Sequence, residues 1–380
     1  MATMSKKVRT PMRVLLVAPH FSEYVSELAR ELAVHVDLLV GMDRGNIEAE
    51  LSQAKRLHLG NLGFRLFTFR SSSFAARALA SLVLLVRALA FRPHVVHIQE
   101  SGNKFVLLAG LLLRPFAPIV LTVHDPLPHI GRDAFALGQW KKRLKLRQAS
   151  ALCFAHGEFC CDELASSQAG AVSRIRSIYH GPIMVPTPEQ VRDPQPRKML
   201  FFGRMEEYKG VETLVEACDL LEARGIDFKL TLAGRGPELD RLRSRLAALH
   251  NVEVRSDWLS PEAAIEQFQE AAWALLPYLE ATQSGVLAAA LANGRGVIAS
   301  RTGGLPEIVE ASRTGILVPP KDAVALADAM EECLGSVERA EGFRAAAKTF
   351  IAQVMDWRFT AQKTFEGYRE AVLHGTARSV

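Results

Sequence analysis

Cysteine is sparse in this chain: Cys153, Cys160, Cys161, Cys218 and Cys333 are the only five in 380 residues, and none are spaced as CxxC. An odd number set mostly in apolar runs suggests neither a disulfide framework nor a zinc site, and suits a reducing compartment. Long apolar runs are lacking too. The longest, Ala78 to Val86 and Phe105 to Leu113, are nine residues each, closed by Arg77 and Arg87 or by Lys104 and Arg114. A bilayer span takes roughly 18–20 residues, so the expectation is a cytoplasmic protein, at most peripheral on the inner face of the cell membrane. The apolar stretch Val14 to Ala18 is too short for a signal-peptide core and reads as a first strand. No GxGxxG follows that strand, no GxxxxGK[ST] occurs, and no aromatic-basic recognition string accompanies the basic residues. These absences exclude a nicotinamide dehydrogenase, a P-loop kinase and a nucleic-acid partner.

Apolar and charged residues are present in ordinary globular proportion, 49% and 23%, enough for two or three domains at roughly 150 residues each. Lys and Arg number 46 against 41 Asp and Glu, a net +5 with a pI near 9.0. The excess is one-sided. Residues 1–180 hold 23 basic and 13 acidic side chains, net +10, which leaves residues 181–380 with 23 and 28, net −5. A basic half suits an anionic surface such as lipid headgroups or phosphates.

Short β-rich runs alternate with helical stretches along the whole chain. RVLLVAPH, HVDLLVG, FRLFTF, PHVVHIQE, PIVLTVHD, ALCFAHGE and IRSIYHG form one series, with helices such as Glu23 to Ala33 and Phe74 to Phe91 between them. KMLFFGRM, FKLTLAG, NVEVRSDW, AWALLPY, GVIASRTGG and GILVPP form a second series. Continuous apolar strands separated by helices predict an α/β fold of two parallel, doubly wound sheets. Residues 182–197 carry five prolines, which predicts an irregular linker between a domain at 1–181 and another at 198–355. The chain after Asp322 reads as helical. Two such domains make a cleft, and ligands bind at the carboxyl ends of their strands.

Two segments carry the chemistry. In LFFGRMEEYKGVETL a strand ends at Gly203, Arg204 follows, and Lys209 lies on the loop before a helix. A guanidinium fork and an ammonium at one strand end suit a diphosphate, although a surface loop pairing these cations with Glu206 and Glu207 fits the same residues. In the second segment a strand ends near Tyr278, Glu280 sits on the loop, and a helix is predicted from about Gln283 to Asn293. The N–H groups of Thr282, Gln283, Ser284 and Gly285 then face whatever lies above the strand ends. Gly303 and Gly304 supply a second backbone turn close by.

Together these segments resemble the donor-binding half of the retaining GT-B glycosyltransferases of family 4 (glycosyl transferases group 1). The resemblance covers nearly the whole chain, including AGRGPELDRL at 233–242 and the late FIAQVMDWRFTAQKTFEGYREA. Its Gly-Arg then Lys-Gly pattern is met by Gly203, Arg204, Lys209 and Gly210. Its Gly-Gly, Glu, then Thr-Gly pattern is met by Gly303, Gly304, Glu307 and Gly315. The resemblance implies two Rossmann-like domains facing a central cleft, with residues 356–380 crossing back to the first. It also implies retaining transfer from a nucleotide-sugar, UDP- or GDP-linked, with no other cofactor. Arg204 and Lys209 then neutralise the leaving diphosphate, Glu280 holds donor-sugar hydroxyls, and the backbone from Thr282 to Val286 binds the distal phosphate. Asp257, Trp258 and Leu259 lie beside the base, and His124 of TVHD faces the donor sugar. The absence of Asp-x-Asp points to a metal-free route.

Two departures stand out: Ala288 occupies the place of the family's second glutamate, and the first loop, His20-Phe21-Ser22, lacks the family's Gly-Gly pair. They keep open a degenerate transferase serving as a binding or assembly partner. A sugar-nucleotide epimerase is the other alternative. For the acceptor, the stretch Trp140, Lys141, Lys142, Arg143, Leu144, Lys145, Leu146 and Arg147 offers apolar and cationic faces fit for an anionic membrane surface. A glycan or lipid-linked acceptor is therefore expected, in cell-surface polysaccharide or glycolipid synthesis.

Overall fold

The computed structural model describes residues 11–102, 104–128, 137–167, 174–257, 259–334 and 336–375. Seven strands, β1 Arg13–Ala18, β2 Asp37–Asp43, β3 Arg65–Phe69, β4 Val95–Gln99, β5 Ile119–Val123, β6 Leu152–His156 and β7 Ile175–Ile178, pair in the order β3-β2-β1-β4-β5-β6-β7. Six more, β8 Gln195–Phe202, β9 Lys229–Ala233, β10 Val252–Arg255, β11 Ala271–Leu276, β12 Gly296–Ser300 and β13 Gly315–Val318, form a second sheet ordered β10-β9-β8-β11-β12-β13. Every pairing is parallel. The reason lies in the side chains: β4, β5, β6, β11 and β12 are buried along their whole length, which requires helices on both faces. Strand order reverses beside β1 and beside β8, the places where a doubly wound sheet opens a crevice at its carboxyl edge.

Three expectations change. Residues 182–197 are not irregular throughout: a short 3-10 turn spans Pro188–Gln190, and β8 begins at Gln195 with Pro196 inside it. Pairing of β8 with β11 is Ala271 to Gln195 and then Trp273 to Met199, so Pro196 falls in a register shift, where its missing N–H disrupts no regular ladder. The helix expected from Gln283 runs from Gly285 to Ala292, because Ser284 takes the cap and its side chain accepts from Leu287 N–H. Finally, helix Phe74–Phe91 is, at a mean hydropathy of 1.9, long and apolar enough by length and composition to cross a bilayer. The two arginines that bound its longest apolar run lie within the helix and do not end it. Its Ala80, Leu84, Ala88 and Phe91 pack into the core of the first half.

The last helix, Trp357–Gly375, belongs to the first half by packing. Ala361, Tyr368 and Ala371 join the core cluster of Tyr24 and Leu28. The Tyr368 hydroxyl lies 2.7 Å from His97 Nδ1, whose other ring nitrogen meets Thr122 Oγ1 at 2.8 Å. Burial drives the His97 pKa down to about 3, so the ring is neutral.

Candidate functional site

A cavity of about 520 Å³ opens between the two sheets, lined from both halves of the chain. On the second-half wall, β8 ends at Phe202 and delivers Gly203 and Arg204 at its carboxyl edge. Arg204 Nη2 donates to the Tyr208 hydroxyl at 2.8 Å, which orients the exposed guanidinium. Lys209 closes a single 3-10 turn and is buried, its Nζ 3.7 Å from the centroid of the Tyr278 ring. The next residue, Gly210, has φ +68°, and a Cβ there would lie 1.9 Å from the carbonyl oxygen of Pro277, so only glycine lets the loop seat Lys209 against β11. Burial, reinforced by the Arg204 guanidinium and opposed by Asp125, pushes the Lys209 pKa down to about 7.

Helix Gly285–Ala292 points its N-terminus into the same wall, where Thr282, Gln283, Ser284, Gly285 and Val286 line the cavity. The Ser284 cap takes the Leu287 N–H and the Ser284 carbonyl takes Ala288 N–H. The N–H groups of Gly285 and Val286 have no acceptor inside the helix and carry its positive dipole end. Asp257, Leu259 and Arg235 line the cavity beside Gly234. Trp258 lies outside the described residues. Ala288 is buried in the core and Ala289 lines the cavity instead.

The first-half wall contains His124, Phe21, Glu23, Tyr24, Glu50 and Asp125. His124 Nε2 donates to Gln99 Oε1 at 2.8 Å, and its ring lies 3.9 Å from that of Phe21. Burial first, and then the neighbouring rings of His156, His20, His180 and His97, hold the His124 pKa well below the ordinary histidine range. This ring is therefore a neutral hydrogen-bonding group. Phe21 stands at the turn where glycine was missing and takes φ 63°, a costly backbone for a bulky residue and one often found at functional sites. The helix it precedes is not an anion site, because Asn46 Oδ1 accepts from Ser22 N–H at 2.9 Å and Glu50 Oε2 from Glu23 N–H at 3.3 Å. Burial raises the pKa of Glu50. Phe21, Tyr24, Asp125, Tyr208, Tyr278 and Arg235 have no spacing signal in the sequence; the missing glycine at Phe21 is the one hint.

Three expected site residues sit beside the cavity-lining residues without being among them. Glu280 is half-buried on the loop after β11, its N–H directed at the Tyr208 carbonyl, and is not among the cavity-lining residues. Gly303 and Gly304 support that loop from behind. Gly304 N–H donates to Thr282 O at 2.9 Å, and Gly303 has φ +56° with room for no Cβ, which would lie 1.6 Å from the Ala281 carbonyl oxygen. Gly303→Ala is expected to cost about 2 kcal/mol or more through the left-handed backbone and the clash, and to weaken ligand binding by moving Thr282 and Ser284. A melting curve and a nucleotide titration of the variant check both effects, and unchanged values would contradict the supporting role.

The basic stretch divides. Within helix Leu137–Ala149, Lys141 and Lys145 are exposed and Trp140, Lys142, Arg143 and Leu144 half-buried, but Leu146 and Arg147 are fully buried. Arg147 is removed from any surface role. Its guanidinium forks onto the buried Glu100 carboxylate and also donates to the carbonyls of Pro126 and Asp125, at 2.9 and 3.1 Å.

Among the described residues, hydrogen bonds that Thr282 donates and Glu307 accepts help to join the walls. Thr282 Oγ1 donates to Asp125 Oδ1 at 2.9 Å. The Glu307 carboxylate accepts from the N–H groups of Glu158 and Phe159 at 3.0 and 3.3 Å, capping helix Glu158–Ser166 from the opposite half.

Comparison with known proteins matches residues 196–336 to the family of glycosyl transferases group 1 and residues 21–181 to glycosyltransferase family 4. D-inositol 3-phosphate glycosyltransferase of Paenarthrobacter aurescens is 32% identical over 181 residues, 46% of this chain and 44% of its own length. The chain thus matches less than half the length of the first such relatives. In structure, sucrose-phosphate synthase from Thermosynechococcus elongatus aligns with a TM-score of 0.74 at 18% identity, over 96% of this chain and 100% of that one. Anabaena Alr3699/HepE in complex with UDP aligns at 0.69 and 15%, over 94% and 100%. With both halves matched by family models and both sheets arranged as in these structures, the chain belongs to the GT-B glycosyltransferases of group 1 and family 4.

Proposed function

We propose that the cleft binds a UDP- or GDP-sugar and transfers its hexose, with retention of anomeric configuration, to a hydroxyl of a glycan or lipid-linked acceptor in cell-surface polysaccharide or glycolipid synthesis. The observation that carries this reading is the convergence of Arg204, Lys209 and the N-terminus of helix Gly285–Ala292 on one wall of one cavity. Two cations and a helix dipole can stabilise a departing diphosphate by electrostatics, the role a metal plays in other transferases. That Anabaena Alr3699/HepE, of the same fold, is in complex with UDP supports a uridine donor in particular. On the facing wall, neutral His124 hydrogen-bonds sugar hydroxyls, and the carboxyl groups of Glu23 and Glu50 beside Phe21 and Tyr24 offer acceptors and ring faces to the incoming hydroxyl.

A thermal-shift panel of UDP-, GDP- and ADP-sugars tests the reading. One nucleotide class should raise Tm by mass action, and Lys209→Ala should abolish the shift. No shift with any of them would count against donor binding and favour a non-catalytic assembly role.

The lowered Lys209 pKa gives a second test. In the empty cleft this lysine is half deprotonated near pH 7, whereas a bound diphosphate favours the ammonium. Donor binding therefore takes up a proton above about pH 7, and affinity falls by up to about tenfold per pH unit as pH rises further. Calorimetry in buffers of different ionisation enthalpy reads the proton directly. Equal heats at pH 8 would remove Lys209 from the diphosphate.

A further inference from the structure

The outer surface of the first half carries an apolar face used neither by the cleft nor by the core. Helix Phe74–Phe91 has two apolar sides. Opposite the core-facing Ala80, Leu84 and Ala88, residues Leu79, Leu82, Val86 and Leu89 recur at helical spacing and are 62, 58, 56 and 48% exposed. Helix Lys104–Leu113 packs beside it and repeats the arrangement, with Phe105, Ala109 and Leu113 inward and Leu108 and Leu111 outward. Phe116, just beyond, is 60% exposed. Soluble monomers rarely leave adjoining apolar faces of this kind to water.

The charges on the two helices and their flanks are basic: residues 70–116 contain six basic side chains and one acidic, Glu100, which is buried on Arg147. Arg70, Arg87, Arg92, Lys104 and Arg114 are exposed on and beside the two helices. The neighbouring helix Leu137–Ala149 packs on Lys104–Leu113 and adds the exposed Lys141 and Lys145.

We propose that this face docks onto an anionic lipid bilayer, with the leucines at the acyl boundary and the arginines and lysines at headgroup phosphates. Helix Phe74–Phe91 lies in the plane of the interface and does not span, because its inner side is held by the first sheet's core. The basic residues of the helix at 137–149 act as the rim of a surface whose apolar centre is supplied by its neighbours. This surface is separate from the cavity and stands independently of the donor reading.

The test is flotation of the full chain with vesicles of phosphatidylcholine and phosphatidylglycerol. The wild type should float at low salt, float less at high salt as the rim charges are screened, and float little with phosphatidylcholine alone. The triple variant Leu82→Gln, Val86→Gln, Leu111→Gln alters exposed positions only, so its Tm and its nucleotide-induced shift should match the wild type while vesicle partitioning drops at least about tenfold. Wild type left in the soluble fraction at low salt, or a variant that floats equally well, overturns the proposal. So does a wild-type dimer in light scattering that the triple variant splits into monomers, since a second copy then covers the face. Vesicle binding with no nucleotide shift in the wild type would remove the donor reading and leave the surface in place.

Discussion

Arg204→Ala is expected to lower kcat/KM about 10²–10³-fold, roughly 3–4 kcal/mol of lost transition-state stabilisation, while leaving Tm within about two degrees of the wild type. The separation follows from position. The Arg204 side chain is exposed and donates to the Tyr208 hydroxyl, so the fold loses little when it goes. A diphosphate leaving group loses a fork of N–H donors that strengthen as charge develops on its oxygens. Arg204→Lys keeps the charge without the fork and should recover only part of the rate. The measurement is initial rate of nucleotide diphosphate release against donor concentration. An alanine variant with wild-type turnover would place the leaving group elsewhere, and one that retains a cellular role without turnover would favour assembly over catalysis.

The largest effect on stability is expected at Arg147. Removing its guanidinium leaves Glu100 buried without its partner, a loss of about 3–5 kcal/mol for a buried pair broken on one side. Arg147 also fastens the carbonyls of Asp125 and Pro126, so the loop presenting Asp125 to Thr282 and Lys209 loses its anchor. Denaturant unfolding should show Arg147→Ala with a strongly reduced midpoint. The double variant Glu100→Gln, Arg147→Met should recover much of the loss, because it leaves no unpaired buried charge. A single variant as stable as the wild type would mean that water or another cation reaches Glu100.

That residue also marks the limit of what the sequence discloses. In WKKRLKLRQ it is one of five cations at helical spacing, and nothing local distinguishes it from Lys145; its partner lies 47 residues away. The strands, by contrast, were legible because their burial is written in consecutive apolar residues, as in the fully buried Ala271–Leu276, and helix Phe74–Phe91 was legible to its terminal residues. Pro196 stands within a strand because a proline forbids only the regular ladder, and β8 is irregular there. Within the site, Arg204, Lys209 and the start of helix Gly285–Ala292 could be placed because each sits at a strand end, where topology alone fixes the neighbourhood. Glu280 and the glycine pair are set by backbone approach between two loops, which spacing does not encode. Phe21, His124 and Tyr24 meet only after β1 and β5 are brought into one sheet.

The chain passes between its halves twice, once after β7 and once before its last helix, and the two passages touch. The Trp357 indole lies against Gly181, where an added Cβ would sit 2.3 Å from the ring, and donates to the Pro182 carbonyl at 2.9 Å. The two crossings are therefore fixed side by side, which restrains how the halves can turn against each other. The Thr282–Asp125 and Glu307–helix contacts join the same two halves across the cavity walls. The walls of the cavity are thus held together both covalently, at two adjacent crossings, and by hydrogen bonds between opposite halves.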